Sequence, residues 1–127
     1  MKPIVEWLLQ SDYDISVADA LFQSRKYIYA VFMCHLAVEK ALKALFTKQK
    51  LQMPPKSHNL IYFAMQLENK IPDDLYNNVY LLNDASIATR YPEKLQAMQK
   101  EFPEAVTADI IKKSKDVILW IKQELEK

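Results

Sequence analysis

"CHLAVEKALKALF", residues 34–46, decides how this chain folds. Its apolar residues recur as they do on a helix buried nearly all round. His35, Glu39 and Lys43 nevertheless interrupt it at intervals of four. At ~100° per residue, with His35 at 0°, Glu39 falls near 40° and Lys43 near 80°. On the same scale Leu42, Phe46 and Phe32 fall near −20°, 20° and 60°. An imidazole, a carboxylate and an ammonium therefore form one row among leucines and phenylalanines. A lone charge in such a place costs several kcal/mol, so each member needs a partner or water. Two readings follow. Glu39 pairs with His35 or Lys43 through i,i+4 contacts and braces the helix, or the row lines a cleft open to a ligand.

Outward from this stretch, the helical pattern runs over about 28–51, with Lys40, Ala44, Thr47 and Lys48 as its wet side. A helix of that kind sits in the middle of a bundle. "QMPPKS" ends it, because two prolines do not continue a helix. Upstream, Pro3 suits a first turn, and Ile4, Leu8, Ile15, Ala18 and Phe22 give a helix over about 4–24, followed by a short break at "SRKY". Downstream, Ser57 is read as the N-cap of a helix over about 58–70, with Leu60, Phe63, Ala64 and Leu67 inward. Asp73 caps a fourth over about 74–89, with Leu75, Val79, Leu82 and Ser86 inside, stopped by Pro92. "EKLQAMQKEF" reads equally as loop or short helix. Pro103 opens the last helix, over about 104–125, whose Val106, Ile110, Val117, Ile121 and Leu125 face inward. The expected fold is all-α, an antiparallel up-and-down bundle of four to five helices forming a single domain over 1–127.

Composition narrows the function. Half of the 127 residues are hydrophobic, 26% are charged and the net charge is +1, so no global basic field advertises nucleic acid. Glycine is absent, which excludes phosphate-binding glycine loops and disfavours tight β-hairpins. The single cysteine, Cys34, allows no internal disulfide, and no Cys/His spacing suggests a metal or cofactor. No apolar run approaches the ~20 residues of a membrane span. The N-terminal stretch reads as the first helix and not as a signal peptide, so a cytoplasmic location is expected.

Two further segments carry candidate site residues. "SHNL", 57–60, is read as placing His58 in the first turn of the third helix, where free amides favour an anion. "TRYPE", 89–93, places Arg90 at the end of the fourth, where a cation suits the helix dipole. Its guanidinium fork suits phosphate, and Tyr91 beside it offers a ring or a hydroxyl. Both residues also have a bland reading, as polar groups at helix ends. Cys34 is read as packing and not as a nucleophile.

Taken in order, "DISVADAL" (14–21), "SRKYIYAVFMCHLAVEKALKALF" (24–46), "PKSHNL" (55–60) and "ATRYPE" (88–93) resemble the HEPN domains, named for higher eukaryotes and prokaryotes nucleotide-binding. The resemblance covers nearly the whole chain. It implies an all-α bundle, frequent homodimers, and pairing with a minimal nucleotidyltransferase in toxin–antitoxin modules. It also implies a nucleotide or RNA ligand at His35, Glu39, Lys43, His58, Arg90 and Tyr91, the last two matching an Arg-Tyr-Pro variant of the nucleotidyltransferase-associated branch. Many members are metal-independent ribonucleases with an Arg, four to six residues, then a His. Here no histidine follows Arg90, and nine residues separate Arg25 from His35, so that signature is absent. If the chain is an enzyme, Arg90, His58 and His35 are its catalytic candidates. A non-catalytic interaction bundle is the third reading. Trp7, Tyr13, Tyr27, Tyr29, Tyr62, Tyr76, Tyr80 and Trp120 exceed what one small core holds, and a homodimer is expected to cover some of them.

Overall fold

The structure is a computed structural model and describes residues 2–127. It has six helices: α1 (Ile4–Gln23), α2 (Tyr27–Lys50), α3 (Leu60–Met65), α4 (Asp73–Arg90), α5 (Leu95–Glu101) and α6 (Glu104–Leu125). No strand occurs among the described residues. The central helix is α2, which packs against each of the other five. Its Val31, Cys34, Val38, Ala41, Leu42 and Leu45 are buried against Phe63, Leu82, Val117 and Ile121 of the surrounding helices. Among the described residues no helix is long and apolar enough to cross a membrane.

The count is six, against an expected four to five, because residues 93–102 contain the short α5 between Pro92 and Pro103. The expected third helix over 58–70 shrinks to six residues. Its N-cap is Asn59, not Ser57: the Asn59 carboxamide oxygen accepts from the Tyr62 amide at 3.1 Å. The Ser57 hydroxyl instead accepts from the Asn59 amide. Beyond Met65, the Glu68 amide donates to Gln49 of α2, and the Asn69 carboxamide donates to Glu124 of α6. These contacts replace helix bonds, and Ile71, buried before Pro72, cannot stay helical comfortably. Asp73 is the first residue of α4 and Pro72 holds the cap position, with no side-chain cap bond.

The supposed wet side of α2 is mostly covered. Ala44 and Thr47 are buried. On this side α1 closes through the Asp14–Lys40 ion pair at 2.6 Å, and α6 through Lys48, which donates to the Leu125 carbonyl. Thr47 turns its hydroxyl back to the Lys43 carbonyl at 2.7 Å. In α6 the inner stripe is Thr107, Ile110, Ile111, Ser114, Val117, Ile118 and Ile121. Val106 stands one residue off that stripe and is 41% exposed, not inward as its spacing suggested. Of the aromatic residues, Tyr13, Tyr29, Tyr62 and Tyr80 are exposed, while Trp7, Tyr27, Tyr76 and Trp120 are half-buried.

With no glycine in the chain, two helix ends place other residues in the left-handed region. Arg25 has φ 60° and Leu51 φ 55°. Around Arg25 the Lys26 amide returns to the Leu21 carbonyl at 2.8 Å, turning the chain from α1 into α2.

Candidate functional site

The polar row on α2 is buried, and α3 and its leading loop complete it. Glu39 is the hub. Its Oε1 accepts from His58 Nδ1 at 2.9 Å and its Oε2 from Lys43 Nζ at 3.0 Å. The side chains of Glu39 and Lys43 are 5% and 8% exposed, whereas that of His58 is 61% exposed. The Lys43 ammonium also lies 5.5 Å from the Trp7 ring and 5.6 Å from the Phe63 ring, so an aromatic wall helps to replace its water.

His35 takes a different part from the one its spacing suggested. Its Nδ1 is 4.0 Å from Glu39 Oε1, too far for a hydrogen bond. Its Nε2 lies 3.1 Å from the His58 carbonyl. A carbonyl only accepts, so Nε2 carries the hydrogen and Nδ1 is a lone pair without a donor. Burial pushes the His35 titration below the ordinary imidazole value, with Glu39 opposing and the charge of Arg90 reinforcing that shift. His35 is therefore a neutral donor that holds the loop, and it forms no ion pair with Glu39.

His58 precedes the cap of α3 and is not in its first turn. Its carbonyl is held by His35 and its ring by Glu39. The Leu60 amide donates to Asn83 of α4 at 2.8 Å, which ties the same loop to the helix that carries Arg90. Nδ1 donates to Glu39, and His58 Nε2 makes no hydrogen bond among the described residues, in a side chain that is 61% exposed. The imidazole is thus oriented by a buried carboxylate and presented to solvent.

Arg90 ends α4 half-buried, its guanidinium carbon 4.9 Å from the centre of the Phe32 ring. No carboxylate pairs with it among the described residues, so its fork is free. Tyr91 is 74% exposed, and its single hydrogen bond among the described residues is that of its amide to the Ile87 carbonyl. It stands outside the Glu39 cluster. Cys34 is enclosed, and burial pushes its thiol up to about 12, which leaves it protonated and unreactive. Among the described residues no cluster of His, Cys, Asp and Glu is arranged to hold a metal ion.

Sequence spacing did not reveal Trp7, Phe32, Asn59 or Asn83 as supports of this site. Asn59 carries the one local signal, an Asn just before an apolar run. The others act across distances in the chain that no periodicity records.

No curated protein matches the chain significantly. Two solved structures share its fold over nearly their full lengths. TT1696 from Thermus thermophilus superposes with a TM-score of 0.82 at 20% identity, covering 97% of this chain and 98% of its own. ST0689, described as an archaeal HEPN homologue, gives 0.77 at 23% identity and covers 98% of each chain. The family model for the HEPN domain matches residues 4–125. A match over that span settles the lineage: the chain belongs to the HEPN domain family.

Proposed function

We propose that this chain is a nucleotide- or RNA-interacting HEPN module that recognises phosphate through His58 and Arg90 and acts with a minimal nucleotidyltransferase in a toxin–antitoxin pair. The observation that carries the site is His58. A buried carboxylate holds its Nδ1–H, so that as the imidazolium it donates from Nε2 to a phosphate oxygen, and the same loop is tied to the helix of a half-buried arginine that no acid neutralises among the described residues. Glu39 and Lys43 position the imidazole, and His35 positions the loop. Buried ion pairs are a poor route to stability, which favours a binding role for the cluster. Isothermal titration with nucleoside mono- and triphosphates tests this reading. Heat is expected with the wild type, weakened at least tenfold in His58→Ala and Arg90→Ala. An absence of heat and of any thermal shift at millimolar ligand would overturn it. The partner is tested by the neighbouring reading frame: a small nucleotidyltransferase there, co-purifying with this chain, is the expected result.

The same geometry favours a second reading, a metal-independent ribonuclease. An imidazole backed by a carboxylate has the orientation of a general base. In that reaction His58 Nε2 takes the proton of a 2′-hydroxyl as its oxygen attacks phosphorus. The 5′-oxygen leaves as an alkoxide that takes a proton from water, and a 2′,3′-cyclic phosphate remains, with Arg90 on the phosphorane charge. Cleavage of RNA in EDTA, lost in both His58→Ala and Arg90→Ala, is the expected signature. Activity that survives both substitutions comes from a contaminant.

A two-fold homodimer would bring two copies of Arg90 to one groove. Exposed Tyr80, Ile87 and Tyr91 form one stripe along and just beyond α4, next to Arg90 in the chain, and support this. Sedimentation equilibrium at micromolar concentration should give twice the chain mass, and a monomer mass would reject the shared groove.

A further inference from the structure

A cleft of about 690 Å³ opens at the start of α2, away from the Glu39 cluster. Its volume lies in the ~300–1,000 Å³ range of small-ligand sites. The floor is apolar, with Ile28 and Phe102 buried beneath it. On its rim Tyr29 is 52% exposed and presents a ring. Arg25 and Lys26 also line it, both exposed and neither paired with a carboxylate among the described residues. Glu104 is the single acid on the lining, so the cleft carries a net positive charge. Arg25 holds the left-handed position of the turn, where glycine would be unstrained. A cation is kept there at a steric cost.

The cleft lies toward the Arg90 end of the site already described. Pro92, on its wall, follows Arg90 by two residues. Arg90 lies over Phe32, and Tyr29 is one turn before Phe32 on α2. From Glu39 back to Lys26 is thirteen residues of helix, or about 20 Å. That length matches roughly six nucleotides at a stacked spacing of about 3.4 Å. Unpaired cations, an exposed tyrosine and an apolar floor are the parts with which proteins hold single strands without reading sequence.

We infer that this cleft seats a flanking nucleotide of single-stranded RNA, with its base against Tyr29 and its phosphate at Arg25 and Lys26, on a strand that runs past Arg90 to His58. The inference rests on the phosphate-recognition reading above and makes a strand, not a free mononucleotide, the preferred ligand.

The test compares fluorescently labelled oligoadenylate of about eight nucleotides with adenosine monophosphate. It uses the full chain and the variants Tyr29→Ala and Arg25→Gly/Lys26→Ala. The wild type should bind the oligonucleotide at least tenfold more tightly than the mononucleotide. Both variants should lose at least tenfold toward the oligonucleotide and stay within twofold toward the mononucleotide. In the double variant the slope of log affinity against log salt should flatten by about 1.4. Arg25→Gly alone should raise the melting temperature by a few degrees, which shows that lost binding is not lost folding. If the oligonucleotide binds no tighter than the mononucleotide, or binds both cleft variants like the wild type while His58→Ala abolishes binding, the cleft inference falls and the phosphate site stands. Equal loss of both ligands in the cleft variants would also overturn it, since the mononucleotide would then lie in the cleft. If neither ligand binds the wild type, both readings fall.

Discussion

Replacing Glu39 by leucine should be among the most damaging single changes in this protein. The carboxylate is 5% exposed and faces an ammonium that is 8% exposed, 3.0 Å away. Leucine removes the anion and leaves Lys43 enclosed beside Trp7 and Phe63 with no counter-charge. Breaking a buried pair from one side costs about 3–5 kcal/mol. A domain has only about 5–15 kcal/mol in total, so the melting temperature should fall by roughly 10–20 °C. The double variant Glu39→Leu/Lys43→Met removes both charges and keeps the volume, and it should return to within about 1–2 kcal/mol of the wild type. Urea unfolding of the two single variants and the double closes the cycle, with an expected coupling of about 2–4 kcal/mol. A single-variant loss under about 1 kcal/mol, or a double variant no better than Glu39→Leu, would show that Glu39 is solvated and the pair is not enclosed.

Other consequences are as direct. The native His35 titrates below its unfolded value, so below about pH 6.5 the unfolded chain takes up a proton that the native chain refuses. Stability should therefore fall as pH drops through that region, by at most about 1.4 kcal/mol per pH unit, and His35→Gln should flatten the slope between about pH 7.5 and 5.5 in urea titrations. Leu51 is 84% exposed at φ 55°, so Leu51→Gly should add about 0.5–1 kcal/mol by thermal unfolding. With its thiol pushed up to about 12 and no exposed surface, Cys34 should resist thiol reagents at about pH 8 until denaturant is added. Rapid labelling of the native protein would contradict its enclosure.

The sequence made the central helix legible because its apolar period is strong and prolines mark its surroundings. It overextended the third helix, since Leu60, Phe63, Ala64 and Leu67 fit a helical stripe. The bonds that end that helix come from Gln49 and Glu124, on two other helices. The wet side of α2 failed for a related reason: Ala44 and Thr47 look solvent-tolerant, but whether they are covered depends on where α1 and α6 dock. In the site, Glu39 and Lys43 were readable as charges in an apolar row. Spacing offered His35 as the partner of Glu39 at four residues, whereas the fold supplies His58 at nineteen. The contact of the Arg90 guanidinium with the Phe32 ring joins two helices and leaves no local trace.

The central claim is that a carboxylate-oriented His58 recognises phosphate. The most direct measurement is the ¹⁵N spectrum of the imidazole nitrogens, recorded without and with a nucleoside monophosphate. The free protein should show hydrogen on Nδ1 of His58 and on Nε2 of His35, and bound phosphate should add a hydrogen to His58 Nε2, so that both of its nitrogens donate, while His35 is unmoved. The opposite tautomer at His58, or a His58 signal indifferent to millimolar ligand, would contradict the account.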